Sequence, residues 1–334
     1  MPQLRKNPIT HQWSVIATER SKRPENFTPE VEEKGTGPDP FAEGLEANTT
    51  PETMALRKPG SHPNTPGWRI RVIANMFPIV GAPGKLKRNT LGIFEYADGV
   101  GSHELVITRD PARDEAAMSV KELDELLWVF QERYKVMKSR REIEYIQIFK
   151  NHGSKGGASL RHPHHQIVGI PFVANDIQRE VEGFKSFHKT HKKHALVAII
   201  AQEKKEKTRI VFENDRAIVF CPYFSENPFE MWVALKKQAP HFENASDADR
   251  RDVADALQAA LGKLHNTLKS PSLNYVLHTA PCDEKPHPTY HWFIRLFPRL
   301  ITRAGFELGT GIMVNVVAPE DAAKHLRKAS RKVK

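Results

Sequence analysis

The chain has 334 residues, of which 39% are apolar, and a formal net charge of +10. At this length it can bury about three-quarters of its unfolded surface, and about 150 residues per domain predicts two domains. Its 19 glycines and 24 prolines are scattered, which excludes a fibrous or low-complexity chain. The two cysteines, Cys221 and Cys282, are far apart, which excludes a disulfide scaffold and a cysteine-based zinc finger.

The sequence contains no apolar segment of the kind that targets or anchors a protein. The first residues, MPQLRKNPITHQW, lack the apolar centre of a signal peptide, and no run of about 18 apolar residues follows. We therefore expect a cytoplasmic protein with no membrane partner.

Much of the positive charge lies at the end of the chain. The last eleven residues, KHLRKASRKVK, contain six Lys and Arg and no acid. Such a tail predicts a solvated, disordered chain end. No helix-turn-helix, RNP or basic-aromatic motif accompanies it, so no specific nucleic-acid partner is expected. The charge suits anionic small substrates at least as well.

In the first half, alternation of apolar and polar residues predicts strands interrupted by one helix. From Ser119 to Arg140 the apolar residues fall on one helical face, with Ser119 as the N-cap and Glu122 as its capping-box partner. Strands are predicted at Trp13 to Ile16, Trp68 to Ile73, His103 to Thr108, Tyr145 to Lys150 and His164 to Ile170.

The second half repeats this order of elements. Its segments are a strand in PFEMWVALK, a helix from Asp247 to Leu268, and strands in NYVLHTA and HWFIRLFPR. Tyr145 lies seventeen residues before His162, and Tyr275 lies sixteen before His291. The repetition predicts a duplicated α+β protein with halves at residues 1–190 and 191–334, joined through a helical, charge-rich stretch from Asn175 to Lys207.

The densest chemical signal is the run NHGSKGGASLRHPHHQ, residues 151–166. On a strand, His162, His164 and Gln166 share one face while His165 points to the other. The glycine-rich turn before them lets backbone N–H groups approach an anion. A positioned imidazole is a competent nucleophile toward phosphorus. The donors beside the histidines are Ser159, Arg161 and Gln166. This combination indicates catalysis rather than merely structural histidines.

The longer run NHGSKGGASLRHPHHQIVGIP resembles the active-site strand of the galactose-1-phosphate uridylyltransferase branch of the histidine-triad (HIT-like) superfamily. Further matching segments are RKNPITHQWSVIATERSKRP, WRIRVIANMFP, PFEMWVALKK and NYVLHTAP. The closing HWFIRLFPRLITRAGFELGTGIMVNVVAPEDAAKHLRK is most similar to the plant-type ADP-glucose phosphorylases of this branch.

This resemblance implies two tandem HIT-like half-domains, the first carrying the active site, and a ping-pong nucleotidyl transfer. By position, His164 would attack the α-phosphorus of a nucleoside diphosphate hexose and carry the nucleotidyl group. The acceptor would be inorganic phosphate in a phosphorylase and a sugar 1-phosphate in a uridylyltransferase. The family is commonly dimeric.

The resemblance also assigns binding roles. Gln166 and Ser159 match the donors to the phosphate oxygens, which need fixed donors. Glu307 matches a carboxylate that holds sugar hydroxyls, but Met313 stands where the galactose enzymes have Gln, which favours the phosphorylase. The other matching positions are Arg20 and Arg23 for phosphate and Asn75 and Phe77 for base and ribose. Asn151 lies on the same loop as Ser159, and Arg161 is expected to bind substrate as a further donor beside the histidines.

The sequence departs from the family at a zinc site beside the nucleophile. The family uses a CPFC pair, a later His and the first His of HxH, whereas this chain has DPFA at residues 39–42 and Arg113, and retains only His162. One imidazole cannot hold tetrahedral zinc, so no metal cofactor is expected. Because Asp39 and Arg113 have opposite charges, we hypothesise an ion pair between them.

At a second family metal position, Glu180 and His278 are retained, but Phe293 and Arg295 occupy the last two places, so this site is expected to be empty too.

Two alternatives remain open. A dinucleoside polyphosphate phosphorylase would use the same HxHxQ chemistry, and a nucleotide-binding relative without catalysis would bind nucleotide but form no covalent adduct.

Overall fold

The computed structural model of the chain describes residues 1–22, 39–82 and 84–333. The described strands are β1 Gln3–Lys6, β2 Trp13–Ile16, β3 Glu52–Arg57, β4 Trp68–Ala74, β5 Arg88–Leu91, β6 Phe94–Ala97, β7 Ser102–Thr108, β8 Tyr145–His152, β9 His164–Ile170, β10 Ile210–Glu213, β11 Ala217–Phe220, β12 Met231–Leu235, β13 Leu273–His278, β14 Phe293–Pro298 and β15 Met313–Asn315. The described α-helices are α1 Val120–Lys138, α2 Asn175–His191, α3 Ala195–Glu206, α4 Asp247–Leu268, α5 Gly305–Thr310 and α6 Pro319–Lys328.

Ten of the described strands form one antiparallel sheet, in the order β10-β11-β12-β14-β13-β8-β9-β7-β4-β3. Each half contributes five strands in the same order, and the halves meet where β8 pairs with β13. In each half one long helix, α1 or α4, connects the third strand to the fourth. The prediction of a duplicated α+β fold is therefore confirmed. The boundary at residues 190 and 191 falls in the last turn of α2 and stays a prediction.

Helices α1 and α4 pack together against one face of the sheet and bury a core that runs through both halves. The predicted capping box at the start of α1 is present, since Ser119 Oγ accepts from Glu122 N at 3.3 Å and the Glu122 carboxylate accepts from Ser119 N at 2.8 Å. Arg133 in α1 binds Glu104 of β7 through two hydrogen bonds of 2.8 and 2.6 Å. These contacts fix α1 over the strands that carry the histidines.

The opposite face is covered differently in the two halves. In the second half, α2 and α3 bury Phe184 and Leu196 against Trp232 and Phe293. In the first half, a smaller cluster around Phe41, Trp68 and Leu105 lies on this face. Both helices fall in the predicted helical stretch, 175–207. This face of the first half carries the candidate site.

The prediction of a disordered basic tail is wrong for the residues up to 333. Helix α6 packs against α4, and the following segment lies along α4, where Arg331 binds Asp255 at 2.7 Å. The backbone comes so close that a Cβ on Gly262 would lie 2.0 Å from the Arg331 carbonyl oxygen. Among the described helices, none combines the length and the apolar character that a membrane crossing requires.

Candidate active site

The candidate nucleophile stands at the start of β9, a strand held between β7 and β8. His164 pairs with Ile107 of β7, and Gln166 lies between Leu105 and Phe149. The ring of His164 is 7% exposed and makes an edge contact with Phe41 at 5.5 Å. The alternation of the strand thus places His164 and Gln166 on the face predicted from the sequence.

One hydrogen bond sets the tautomer of His164. Its Nδ1 donates to the carbonyl oxygen of His162 at 2.8 Å, so in the neutral ring Nε2 carries the lone pair. Burial lowers the pKa of His164 below its ordinary value, and the bond to His162 opposes this only in part. The ring is therefore neutral at neutral pH, and Nε2 is the nitrogen that carries the lone pair.

Gln166 is oriented by a histidine that the sequence reasoning missed. His103 Nδ1 accepts from Ile79 N at 3.2 Å, so its Nε2–H donates to Gln166 Oε1 at 2.9 Å. Asn75 joins the group because its Nδ2 donates to His103 Nδ1 at 3.3 Å. With its carbonyl oxygen taken, Gln166 presents its NH2 group as a donor. His103 lies on the same face of its predicted strand as Leu105 and Ile107. This alternation was the signal in the sequence by which His103 could have been identified.

His165 points to the opposite face, as the alternation predicts. It is buried against Phe130 of α1, and its Nε2 contacts Tyr275 Oη and, at 3.2 Å, Glu115 Oε1. The buried ammonium of Lys150 pairs with the same carboxylate. Although burial would raise the pKa of Glu115, Lys150 and His165 hold it well below its usual range. The side chain of His165 therefore leaves the face of His164 open.

The glycine-rich turn between β8 and β9 is tightly built. Gly153 has φ +71°, and a Cβ there would lie 2.0 Å from Ser272 Oγ, so only glycine fits. Asn151 Oδ1 accepts from Asn274 Nδ2 at 2.8 Å. Ser159 and Arg161, which follow in the turn, are exposed. The turn therefore presents polar groups next to the start of β9.

The remaining predicted nucleotide residues are less enclosed. Phe77 is 83% exposed, although its backbone N–H donates to Asn75 Oδ1 at 3.0 Å. Arg20 is exposed in a short 3-10 helix, Thr18–Lys22. Arg23 lies outside the described residues.

Glu307 lies in the second half, at a cavity of about 310 Å³ whose described lining includes Glu180, His278 and Arg295 but no residue of β9. In α5 its carboxylate accepts from Ala304 N at 3.1 Å. Glu307 therefore lines a cavity to which β9, and with it His164, contributes no described residue.

The residues at the two family metal positions do not fit a metal. At the first position, both ring nitrogens of His162 face acceptors, since Nδ1 lies 2.7 Å from Asp39 Oδ2 and Nε2 lies 2.6 Å from the Thr108 carbonyl oxygen. Each ring nitrogen is therefore directed at an oxygen of the chain rather than at a metal. The hypothesised ion pair between Asp39 and Arg113 is wrong, because Arg113 pairs with Glu122 at 3.1 Å.

At the second position, the side chains that could bind a metal are also paired with other residues of the chain. His278 Nδ1 lies 3.0 Å from Glu180 Oε1, and Tyr290 Oη donates to Glu180 at 2.7 Å. The His278 ring stacks on Phe293 at 4.6 Å. The guanidinium of Arg295, held by two glutamates, supplies a positive charge where a metal would need a ligand. Within the described part of the chain, no cluster of three or more His, Cys, Asp or Glu side chains is suited to a metal.

Comparison with known proteins decides the family. ADP-glucose phosphorylase of Arabidopsis thaliana is 31% identical to this chain over 341 residues, covering 98% of the chain and 93% of the relative. The chain belongs to the family of ADP-glucose phosphorylase and the galactose-1-phosphate uridylyltransferases. A galactose-1-phosphate uridylyltransferase of Thermotoga maritima is 24% identical, covering 98% of both chains. The resemblance found in the sequence is confirmed.

The fold agrees with this family. The crystal structure of the Arabidopsis thaliana ADP-glucose phosphorylase with bound ADP-glucose superposes with a TM-score of 0.83 at 29% identity and covers 99% of both chains. The family model for a domain of unknown function (DUF4921) matches residues 96–334. The matched segment contains β7, β8 and β9, the strands that carry His103, His164 and Gln166.

Proposed function

We propose that this protein is a nucleotidyltransferase that acts on a nucleoside diphosphate hexose through a nucleotidyl-His164 intermediate. The observation that carries the proposal is the hydrogen bond from His164 Nδ1 to the His162 carbonyl, which directs the Nε2 lone pair away from the backbone. Membership of a family with nucleotide-sugar enzymes supports the substrate class.

The chemistry balances without a separate base. Nε2 of neutral His164 attacks the α-phosphorus, an N–P bond forms, and the P–O bond to the hexose 1-phosphate breaks. The proton on Nδ1 stays on the imidazole, held by the His162 carbonyl. An oxygen of the acceptor then attacks the same phosphorus and releases His164. Gln166 NH2 would donate to the phosphate oxygens, where charge is spread in the transition state.

We propose ADP-glucose as the nucleotidyl donor and inorganic phosphate as the acceptor, which would yield ADP and glucose 1-phosphate. The relative of known structure with bound ADP-glucose supports this choice. UDP-glucose with a sugar 1-phosphate acceptor is the second candidate, supported by the uridylyltransferases among the relatives.

The binding roles in this proposal rest on position. Ser159, Asn151 and Arg161 would line the phosphate turn, with Arg20 and Arg23 as further phosphate ligands. Asn75 and Phe77 would hold the ribose and base, and Glu307 would hold sugar hydroxyls. A cytoplasmic location remains part of the proposal.

We also propose a homodimer, because the β5–β6 hairpin exposes Leu91, Ile93, Phe94 and Tyr96. An exposed apolar patch of this kind is typical of a protein–protein contact, here with a second copy of the chain. Light scattering of the eluted protein should give twice the chain mass; a monomer would contradict this part of the proposal.

Intact-protein mass after brief incubation with ADP-glucose or UDP-glucose tests the proposal. The experiment is done at neutral pH because a phosphoramidate is acid-labile. The wild type should gain the mass of AMP from ADP-glucose, and added phosphate should remove it as ADP. His164→Asn should form no adduct, while replacing the exposed His62 by Asn should leave adduct formation unchanged.

Either unaltered adduct formation in His164→Asn or the absence of any adduct in the wild type would contradict the mechanism. A gain of UMP alone would favour the uridylyltransferase.

A further inference from the structure

The ring of His162 is clamped between two segments that are distant in sequence. Its Nε2 donates to the Thr108 carbonyl oxygen at 2.6 Å, and its Nδ1 lies within hydrogen-bond distance of Asp39 Oδ2, at 2.7 Å. Thr108 ends β7, and Asp39 belongs to the turn that carries Phe41. The His162 side chain is fully buried, whereas that of Asp39 is 32% exposed. The clamp thus ties the turn at Asp39 to the strands of the site.

The second oxygen of Asp39 fixes this turn. Asp39 Oδ1 accepts from Phe41 N at 3.0 Å, so one carboxylate holds both the histidine ring and the turn. Phe41 is buried among Trp68, Leu105 and Ile107 and makes edge contacts with the rings of His162 and His164, at 5.9 and 5.5 Å. Loss of the carboxylate would therefore release two contacts around His164.

The clamp reaches the nucleophile through the backbone of His162. The carbonyl oxygen that accepts from His164 Nδ1 belongs to the residue whose ring is clamped. Fixing that ring limits rotation of its backbone and keeps the carbonyl directed at Nδ1. When the carbonyl turns away, the proton of a neutral imidazole can move to Nε2, which then has no lone pair.

We propose that Asp39 is a positioning residue that fixes the tautomer and orientation of His164 through His162, in place of any metal at this point. The inference rests on the proposed function for its effect on activity, but the tautomer can be measured independently. In this role the carboxylate of Asp39 holds the ring of His162, because both ring nitrogens are already directed at oxygens of the chain rather than at a metal.

Nitrogen-15 NMR of histidine-labelled protein tests the tautomer directly. Resonances of His164 and His162 are assigned from His164→Asn and His162→Asn. His164 in the wild type should show the Nδ1–H tautomer, Asp39→Ala should populate the Nε2–H tautomer, and Asp39→Asn, which keeps one acceptor oxygen, should lie between them. The matched control is Asp110→Ala, which removes a comparable turn bond, Ala112 N to Asp110 Oδ1 at 2.9 Å.

Single-turnover adduct formation supplies the second readout. Asp39→Ala should lower the first-order rate of adduct formation by about 10- to 100-fold, as expected for a lost partner that orients a histidine. The dissociation constant of ADP-glucose, measured in the His164→Asn background, should be unchanged. Asp39→Asn should recover part of the rate, and Asp110→Ala should retain the wild-type rate.

An unchanged His164 tautomer in both Asp39 variants would overturn the inference, whatever the activity. So would stoichiometric zinc in the wild type that is lost in His162→Asn. If the wild type forms no adduct but the tautomer shifts as expected, the proposed function fails and the positioning role stands.

Discussion

The same sequence position holds a histidine in both halves, and its surroundings decide what that histidine does. His162 lies two residues before β9, and His291 lies two residues before β14. Both ring nitrogens of His162 have a hydrogen-bond partner, Asp39 Oδ2 for Nδ1 and the Thr108 carbonyl for Nε2. His291 is 0% exposed, and among the described residues neither of its ring nitrogens has a hydrogen-bond partner. Burial, with His194 nearby, lowers the pKa of His291 to about 3.

Because of this burial, we expect the stability of the protein to fall in acid, and replacing His291 should make that fall smaller. His291 is neutral in the folded protein down to about pH 3, whereas its ordinary pKa is 6.5. As the pH falls, this histidine therefore binds a proton in the unfolded chain before it does so in the folded protein. The contribution that neutral His291 makes to stability is full above pH 6.5 and is lost as the pH falls toward 3. Between pH 7.5 and 5.0 the free energy of unfolding should fall about 2 kcal/mol less in His291→Leu than in the wild type.

Urea unfolding at the two pH values measures this difference. His325→Leu, an exposed histidine in α6, is the matched control and should keep the wild-type pH dependence. Equal losses of stability in His291→Leu and the wild type would contradict the assignment.

The sequence could identify the residues of the site more readily than their partners. His164, His165 and Gln166 follow one another in β9, so strand alternation was enough to place them on their faces. Asp39 pairs with a residue 123 positions away. Charge alone suggested Arg113 as its partner, and only the packing of the turn against β7 and β9 selects His162 instead.

At the scale of elements, the predicted bounds were accurate where the apolar periodicity and the residues that mark the ends of a helix or strand agree. The predicted bounds of β2, β9 and α4 are those observed, and those of α1 differ by one or two residues. Strand β11, Ala217–Phe220, is buried at every position, so it lacks the alternation by which a half-buried strand is identified. Hairpin β5–β6 also lacks this alternation, because it is exposed at every position.

The capping box at the N-terminal end of α1 should make a measurable contribution to the free energy of unfolding. Ser119→Ala removes the acceptor of Glu122 N and should lower the free energy of unfolding by about 1 kcal/mol. Chemical denaturation measures the change. The control is Ser186→Ala at an exposed interior position of α2, where alanine should be neutral or slightly stabilising. Equal stability of the two variants would mean that the capping box does not hold α1.

At the scale of the molecule, the two halves form one structural unit. The sheet is continuous through β8 and β13, and the core beneath α1 and α4 contains residues of both halves. Arg250 of α4 binds Asp124 of α1 at 2.7 Å, and Gln131 Nε2 donates to the Phe242 carbonyl at 3.1 Å. A half-domain alone would expose a sheet edge and the apolar side of its long helix. We therefore expect the division at residues 190 and 191, which stays a prediction, to separate two duplicated halves that do not fold independently.

A cut in the loop between α2 and α3 tests this view. Fragments 1–193 and 194–334 retain every strand pair of the ten-stranded sheet within a half. The cut breaks only the peptide bond between Lys193 and His194, so the β8–β13 pair must then form between two separate chains. In the uncut protein, the apolar faces of the two fragments cover each other. Each fragment alone should therefore show no cooperative thermal unfolding. The co-expressed fragments should associate one to one and unfold in a single transition. Light scattering and calorimetry measure both properties, with the uncut chain as control. Two monomeric fragments that each unfold cooperatively would show that the halves are independent domains joined by a dispensable sheet contact.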